Sequence, residues 1–246
     1  SNLTISKTRT FASSKSITQV DFSAVKNLSI VGTSNTMFSG NSPVVYVSSE
    51  AIKDAIKNNS NKGDAHISYA VTNGGILTEE AELEDRKLAV PIKDRNKFVK
   101  WYEADNKNKD VTSAAIDKTY YAEWSATTNY FIKTDAKLDK VTYGYDSSEA
   151  EKASVTLEAS GSDAQKIKTA TSSNAEYFNV EVNDGNDCIT ITPETDLDAG
   201  EYQGTIYVTM VDDSVFFVKV TFIVEKAKPE YVLPENLTAI QGQMLS

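Results

Sequence analysis

Short runs in which apolar and polar residues alternate fill the second half of the chain, from residue 127 to residue 227. Turn-forming residues such as Asp212 and Asp213 separate these runs, which follow one another about every 8–12 residues. Alternation with a period of two gives each strand one buried and one exposed face, so the pattern predicts an all-β sandwich. The predicted strands are 130–134, 140–145, 153–159, 166–171, 177–182, 188–192, 204–211 and 214–225.

A tyrosine motif stands just before the longest predicted strands. Asp198, Gly200 and Tyr202 form a D-x-G-x-Y pattern that resembles the tyrosine corner of immunoglobulin-like domains. The resemblance implies an immunoglobulin-like sandwich over residues 127–227, in which the phenol hydroxyl bonds back to the main chain. Position 204 is glycine instead of cysteine, so no disulfide between the sheets is implied. The last two strands are expected to form a hairpin around Asp212 and Asp213.

The first 60 residues carry a weak internal repeat. A phenylalanine is followed by aliphatic residues six and nine positions later, and this pattern recurs after 27 residues. A period of this size falls in the range of about 20–29 residues found in leucine-rich repeats. The repeated positions are Phe11, Ile17 and Val20, then Phe38, Val44 and Val47.

A helix is expected at the end of this segment. Ile52, Ala55 and Ile56 fall on one helical face, Ser48 or Ser49 can cap the start, and 58–59 can end it. Such a helix would cover the open end of a solenoid. Residues 1–60 resemble the terminal coils of the BspA-like leucine-rich repeats of bacterial surface proteins. The resemblance is carried by 17–22, 37–40 and 45–50.

Residues 64–126 carry an ordered set of rare residues: Asn-Gly-Gly, then Pro, then Phe-x-x-Trp-Tyr, then Tyr-Ala-x-Trp. The set resembles the Listeria–Bacteroides repeat, also called the internalin B-repeat, and implies a small β-grasp-like module. One departure is Asn96-Lys97 in place of the usual glycine before Phe98, and asparagine tolerates the left-handed turn. The matching positions are Asn73, Gly74, Gly75, Pro91, Phe98, Trp101, Tyr102, Tyr121, Ala122 and Trp124.

The aromatic residues of this module are the candidate ligand contacts. Neighbouring residues of a strand point to opposite faces, so Trp101 and Tyr102 cannot both be buried in one core. We expect Trp101 and Trp124 to form the core of a module too small to fold without large side chains. Tyr102 and Tyr120 are then the candidate exposed contacts for a ligand.

Charge and composition narrow the function classes. The formal net charge is −10, which repels a phosphate backbone, so no nucleic acid partner is expected. No run of 18 apolar residues occurs, so no membrane insertion is expected. One cysteine excludes a disulfide framework. The single histidine, His66, lacks the partners that a catalytic triad or a zinc site needs, so we expect no catalytic residue, no metal and no cofactor.

Calcium is a weaker exclusion, because 184–187 and 196–198 offer oxygen ligands without the spacing of the twelve-residue loop. Residues 228–246 read as a linker into a truncated next repeat. The abrupt start at Ser1 and the end in mid-motif indicate a piece of a longer protein.

Together these features favour a mainly β, monomeric, non-enzymatic segment of an extracellular, cell-surface or cell-wall protein. Its expected role is adhesion or ligand display, with the coils presenting a binding face and the later modules serving as spacers. The partner would be a host or cell-wall protein or glycan. The alternative is a carbohydrate-binding accessory region of a secreted polysaccharide-active protein. An enzyme, or self-assembly through a free sheet edge, is a more distant reading.

Overall fold

The computed structural model describes residues 1–5, 17–31, 37–38, 42–78 except 61–65, 86–161 and 166–229. The chain is mainly β, as the alternation predicts, with curled sheets and two helices among these residues. Phe11 and the predicted linkers 61–65 and 230–246 lie outside them. The elements are β1 (Asn2–Ile5), β2 (Gln19–Phe22), β3 (Asn27–Ile30), β4 (Val44–Val47), α1 (Glu50–Ser60), β5 (Ser68–Val71), β6 (Asn96–Glu103), β7 (Thr119–Ala126), β8 (Tyr130–Ile132), β9 (Asp135–Lys137), β10 (Val141–Thr142), α2 (Ser147–Ala153), β11 (Val155–Gly161), β12 (Ile167–Ser172), β13 (Phe178–Val182), β14 (Cys188–Pro193), β15 (Gly200–Met210) and β16 (Ser214–Glu225).

The first four strands form two parallel ladders with the same repeat length. Asn2 pairs with Asn27 in the β1–β3 ladder, and Gln19 pairs with Val44 in the β2–β4 ladder. Both pairings place equivalent residues 25 positions apart, so the predicted period of 27 is wrong by two residues. The error arose because the aliphatic pattern also matches when it is shifted by two, which keeps every side chain on its own face.

Helix α1 takes the place that a third strand of the β1–β3 ladder would have. It begins two residues after the second coil's β4 and packs beside β3, while β5 extends the β4 ladder in parallel. Ile52 and Ile56 point into the core, and the Ser49 hydroxyl accepts a hydrogen bond from the Ile52 amide at 3.4 Å. The expected apolar face and serine cap are therefore present, and the helix extends to Ser60.

One sheet separates two hydrophobic cores. Strands β4 and β5 are buried on both faces, as parallel strands covered on two sides usually are. Val45 and Tyr69 face a core closed by α1, whereas Val44 and Ala70 face a second core that contains Trp101. Strand β5 also pairs in parallel with β7, which forms an antiparallel hairpin with β6. The predicted boundary at 60–64 therefore separates chain segments whose strands lie in one sheet.

Turns of the middle segment use left-handed backbone conformations. Asn73 and Gly74 have φ of 52° and 87°, which confirms the expected Asn-Gly turn. Before β6 the left-handed residue is Arg95, with φ of 57°, and not Asn96. The Arg95 amide donates to the Val215 carbonyl at 2.7 Å, and this long-range bond selects which residue turns.

Residues 127–225 form two sheets around a common core. One sheet has the order β13–β14–β11–β8, and β12, β15 and β16 belong to the other. Their inner faces share one apolar cluster that includes Phe178, Ile189, Val218 and Phe222. The predicted hairpin of β15 and β16 is present. The far edge of β16 is shared along its length by β6, β9 and β10.

A second helix, α2, was not predicted. It ends at Ala153, where the alternation predicted the start of a strand, and the predicted strand 140–145 is reduced to β10. Asp146 and Glu149 form a capping box at its start, a signal that was present in the sequence. Ala150 and Ala153 provide the small buried face against the sandwich core.

Candidate functional site

Tyr102, the first candidate ligand contact, lies half-exposed on β6. Trp101 beside it points into the opposite core, which confirms that these neighbours face opposite ways. The Tyr102 ring stacks against Tyr121 with 5.8 Å between centroids and 30° between planes. The ammonium group of Lys107 lies 5.9 Å from the same ring. Both contacts occupy ring surface that a stacked sugar would need.

Tyr121 links this aromatic pair to helix α1. Its hydroxyl interacts with the Glu50 carboxylate, which also forms an ion pair with Lys53. Burial, and then the hydrogen bond and negative charge of Glu50, raise the pKa of Tyr121. The pair therefore fastens the middle hairpin to the helix, and only one edge of Tyr102 is left to a ligand.

Tyr120, the second candidate contact, is not on the surface. Its side chain is 1% exposed, and its hydroxyl accepts a hydrogen bond from the Ala115 amide at 2.7 Å. The prediction of an exposed Tyr120 is therefore wrong. Alternation along β7 places Tyr120 on the same face as Ala122, in the core that contains Trp101. The sequence fixed only that neighbours differ in face, and not which face the loop over residues 86–89 would cover.

The two tryptophans serve mainly as core residues. Trp101 is 2% exposed and donates its indole N–H to the Ala89 carbonyl at 2.9 Å. Trp124 is half-buried, donates to the Thr72 carbonyl at 2.8 Å and has Lys93 over its ring. A Cβ atom at Gly75 would lie 2.4 Å from the Trp124 ring. The close packing of Gly75 on Trp124 explains why the module combines a second glycine with this tryptophan.

The coils present one polar face. Side chains at alternate positions of β1 and β3 are exposed, whereas Leu3 and Leu28 between them pack on the core. The side chain of Asn27 donates to Asn2 at 2.8 Å across this ladder. The exposed face, named here the coil face, consists of Asn2, Thr4, Asn27 and Ser29.

The other ladder of the coils is covered. Tyr46 of β4 is fully buried under the middle segment, where its hydroxyl accepts from the Ala89 amide at 2.9 Å and donates to the Lys87 carbonyl at 3.3 Å. Its ring contacts Trp101 edge-on at 6.2 Å. A ligand can therefore reach β1 and β3, but not the outer side of β4.

Ionisable side chains considered for chemistry are dispersed over the surface. His66 pairs with Asp117 at 2.7 Å, and both side chains are exposed. Asp187 accepts from the Asn183 amide at 2.7 Å, which lowers the pKa of its carboxyl, and so belongs to a structural turn. Over the described ranges no group of three or more His, Cys, Asp or Glu is placed to hold a metal ion. Neither helix of these ranges has the length and apolar character needed to span a membrane.

Comparisons with protein-family models, with curated proteins and with solved structures find nothing that matches this chain. The resemblances to bacterial surface modules therefore rest on the residues quoted above and on the geometry of the fold.

Proposed function

We propose that this chain is a non-enzymatic segment of an extracellular bacterial surface protein that displays a binding face for adhesion. The observation that carries the proposal is the series of 25-residue coils ended by α1, whose sheet continues into a compact middle segment. Coils of this kind bury a core only by stacking, and they leave a regular polar face free for a partner. The following sandwich would hold that face away from the cell wall.

Two local geometries support the assignment of the later modules. The Tyr202 hydroxyl donates to the Asp198 carbonyl at 2.7 Å, as the tyrosine corner of an immunoglobulin-like domain requires. Gly75 and Trp124 of the Listeria–Bacteroides pattern touch each other, which gives those two motif positions a common structural role. The proposal thus combines a leucine-rich-repeat end, an internalin-type repeat and an immunoglobulin-like sandwich.

The coil face is the proposed display surface. It is polar, exposed and flat, and it lies on the side of the coils that the middle segment does not cover. A host or cell-wall protein or glycan is the proposed partner. The alternative role, sugar binding through stacked aromatic rings, is less well supported because Trp101 is buried and Tyr102 is stacked on Tyr121.

Location is tested with antibodies raised against the purified chain. Cells of the source organism are stained before and after permeabilisation. We expect labelling of intact cells, and labelling that needs permeabilisation would contradict surface display.

Adhesion through the coil face is tested by immobilising the chain and measuring attachment of host cells and of isolated cell wall. A variant carrying Thr4→Arg and Ser29→Arg places two long cations on the coil face and should abolish specific attachment. Ser148→Arg, on the exposed side of α2, is the matched control and should attach normally. Equal attachment by both variants would place the binding surface elsewhere.

A further inference from the structure

An open groove crosses the outer face of the sandwich where β9, β16 and β15 lie side by side. Its volume is about 670 Å³. Binding sites for small molecules commonly measure about 300–1,000 Å³. Three lysines, Lys133, Lys137 and Lys219, line this lysine groove together with a single carboxylate, Asp135. The groove therefore carries an excess of positive charge in a chain whose net charge is −10.

Strand register builds the floor of the lysine groove as two cross-strand rows. Lys219 lies between Thr205 and Asp135 in one row. Thr221 lies between Gln203 and Lys137 in the other. Residues in between, such as Val220, point into the sandwich core, so these six side chains share the outer face. Neighbours in such rows are about 5 Å apart, close enough to contact one ligand together.

One wall of the groove is fixed by hydrogen bonds to the floor. The Thr205 amide donates to the Ser173 hydroxyl at 2.9 Å, and the Asn174 side chain donates to the Gln203 carbonyl at 3.3 Å. The wall follows directly on β12, which itself pairs with β15. The groove is therefore a feature of the folded sheet and does not depend on a ligand to form.

The three ammonium groups have no anionic partner in the part of the chain that the structure describes. Other lysines there do form ion pairs, for example Lys140 with Glu225 and Lys168 with Asp213. Lys219 lies opposite Asp135 in register, yet their charged atoms are not within ion-pair distance. Unpaired lysines gathered in one concave site are suited to bind the anionic groups of a ligand through charge-assisted hydrogen bonds.

The main chain of the floor limits the kind of ligand. Strand β15 is paired on both edges by β12 and β16, and the β16 segment of the floor by β15 and β9. A peptide that binds by adding a strand needs a free edge, which the floor does not offer. No aromatic ring lines the groove, so it lacks the stacking platform on which single-stranded nucleic acids depend. Recognition must come from ammonium, hydroxyl and amide side chains.

We propose that the lysine groove binds an acidic oligosaccharide, a sugar chain that carries carboxylate or sulfate groups. Lys133, Lys137 and Lys219 would pair with its anionic groups, while Thr205, Thr221 and Gln203 would hydrogen-bond its hydroxyl groups. This site goes beyond the proposed function, which treats the sandwich as a spacer and assigns display to the coil face.

The test is calorimetric titration of the full chain at low and at moderate salt. The probes are tetragalacturonic acid as the carboxylate saccharide, a chondroitin sulfate tetrasaccharide as the sulfated one, neutral cellotetraose, and tetraglutamate as an anionic peptide. We expect one or both acidic saccharides to bind, with affinity that falls as salt rises, and neither control probe to match them. The stronger of the two acidic saccharides identifies the anionic group.

A variant with Lys133→Gln, Lys137→Gln and Lys219→Gln should weaken this binding by about tenfold or more, because it removes the charge-assisted hydrogen bonds. The matched control, with Lys152→Gln, Lys226→Gln and Lys228→Gln, removes the same charge from exposed positions outside the groove and should change affinity by less than about twofold. All six lysines are exposed or half-exposed, so equal urea midpoints will show that both variants fold.

A further variant separates saccharide recognition from simple attraction of charge. Thr221→Val keeps the shape and charge of the groove but removes one hydroxyl, and it should weaken acidic saccharides about threefold or more. The proposal is overturned if no acidic saccharide binds at millimolar concentration, if tetraglutamate binds equally well, if both lysine variants weaken binding equally, or if Thr221→Val has no effect. None of these outcomes affects the antibody test of surface display.

Discussion

Tyr46 shows how one buried polar group joins two parts of the chain. Its ring fills the core beneath the middle segment, and its hydroxyl satisfies the Ala89 amide of a loop 43 residues away. Burial raises the pKa of Tyr46 to about 12 because the phenolate would lose its hydration. A phenol in the unfolded chain ionises near pH 10, about two pH units lower.

This pKa difference predicts a loss of stability at alkaline pH. Between about pH 10 and pH 12 the unfolded chain releases the Tyr46 proton while the folded chain retains it, so the free energy of unfolding falls. Tyr46→Phe removes this proton and should make the fall shallower by about 1–3 kcal/mol over that range. Urea unfolding at a series of alkaline pH values measures the slope. An unchanged slope would show that Tyr46 ionises normally in the folded chain.

The tyrosine corner gives a second prediction for a single residue. Tyr202→Phe removes the hydrogen bond to the Asp198 carbonyl but keeps the ring contact with Tyr177 at 5.0 Å. We expect the unfolding free energy of the sandwich to fall by about 0.5–1.5 kcal/mol. Tyr143→Phe is the control, because Tyr143 is 51% exposed, and it should leave the urea midpoint unchanged.

At the scale of elements, helix α2 is too short to be stable without its cap and its packing. The Glu149 amide donates to the Asp146 carboxylate at 3.0 Å, and the Asp146 amide donates to the Glu149 carboxylate at 3.2 Å. These two bonds satisfy amides at the start of the helix that have no partner within it. Ala150 and Ala153 then fix the helix against the sandwich core.

The capping box predicts a graded response at position 146. Asp146→Ala should lower the unfolding free energy of the sandwich by about 0.5–2 kcal/mol, because the first turn loses its acceptor. Asp146→Asn should retain most of the stability, since asparagine caps helices about as well as aspartate. Thermal and urea unfolding of the two variants measure the difference, and equal losses would indicate a role for charge instead of capping.

At the scale of the whole molecule, β16 connects the sandwich to the middle segment. Ser214 of β16 pairs with Lys97 of β6, and the Phe217 amide donates to the Asp94 carboxylate at 2.9 Å. Together with the bond from the Arg95 amide to the Val215 carbonyl, these contacts form a hydrogen-bonded joint. A spacer held by such a joint keeps a displayed face at a defined orientation.

The joint can be weakened at one residue. Asp94→Ala removes the acceptor of the Phe217 amide, and hydrogen exchange at that amide should accelerate by about tenfold, the equivalent of one lost hydrogen bond. Asp94→Asn keeps an acceptor oxygen and should exchange at nearly the native rate. Asp105→Ala, in an exposed turn, should leave the joint unchanged. Native exchange in Asp94→Ala would show that the strand pairing alone holds the joint.

Features that depend on neighbouring residues could be predicted from the sequence. The strands of the sandwich, the Asn73-Gly74 turn and the apolar face of α1 follow from periodicity and from backbone preferences that act over a few residues. The Asp146–Glu149 capping box was equally local and could have been found. Burial of Trp101 followed from the need of a small module for large core residues.

Features that depend on distant pairing were decided only by the tertiary structure. The sequence offered several registers for the coils, and packing selected 25 residues; it left open which side of β7 is covered, and the 86–89 loop buried Tyr120. The lysine groove joins Lys133 and Lys219, 86 positions apart, through the pairing of β9 with β16. Local periodicity determines which residues form a strand and which of them share a face. The partner of each strand depends on complementary surfaces that meet only when the chain folds.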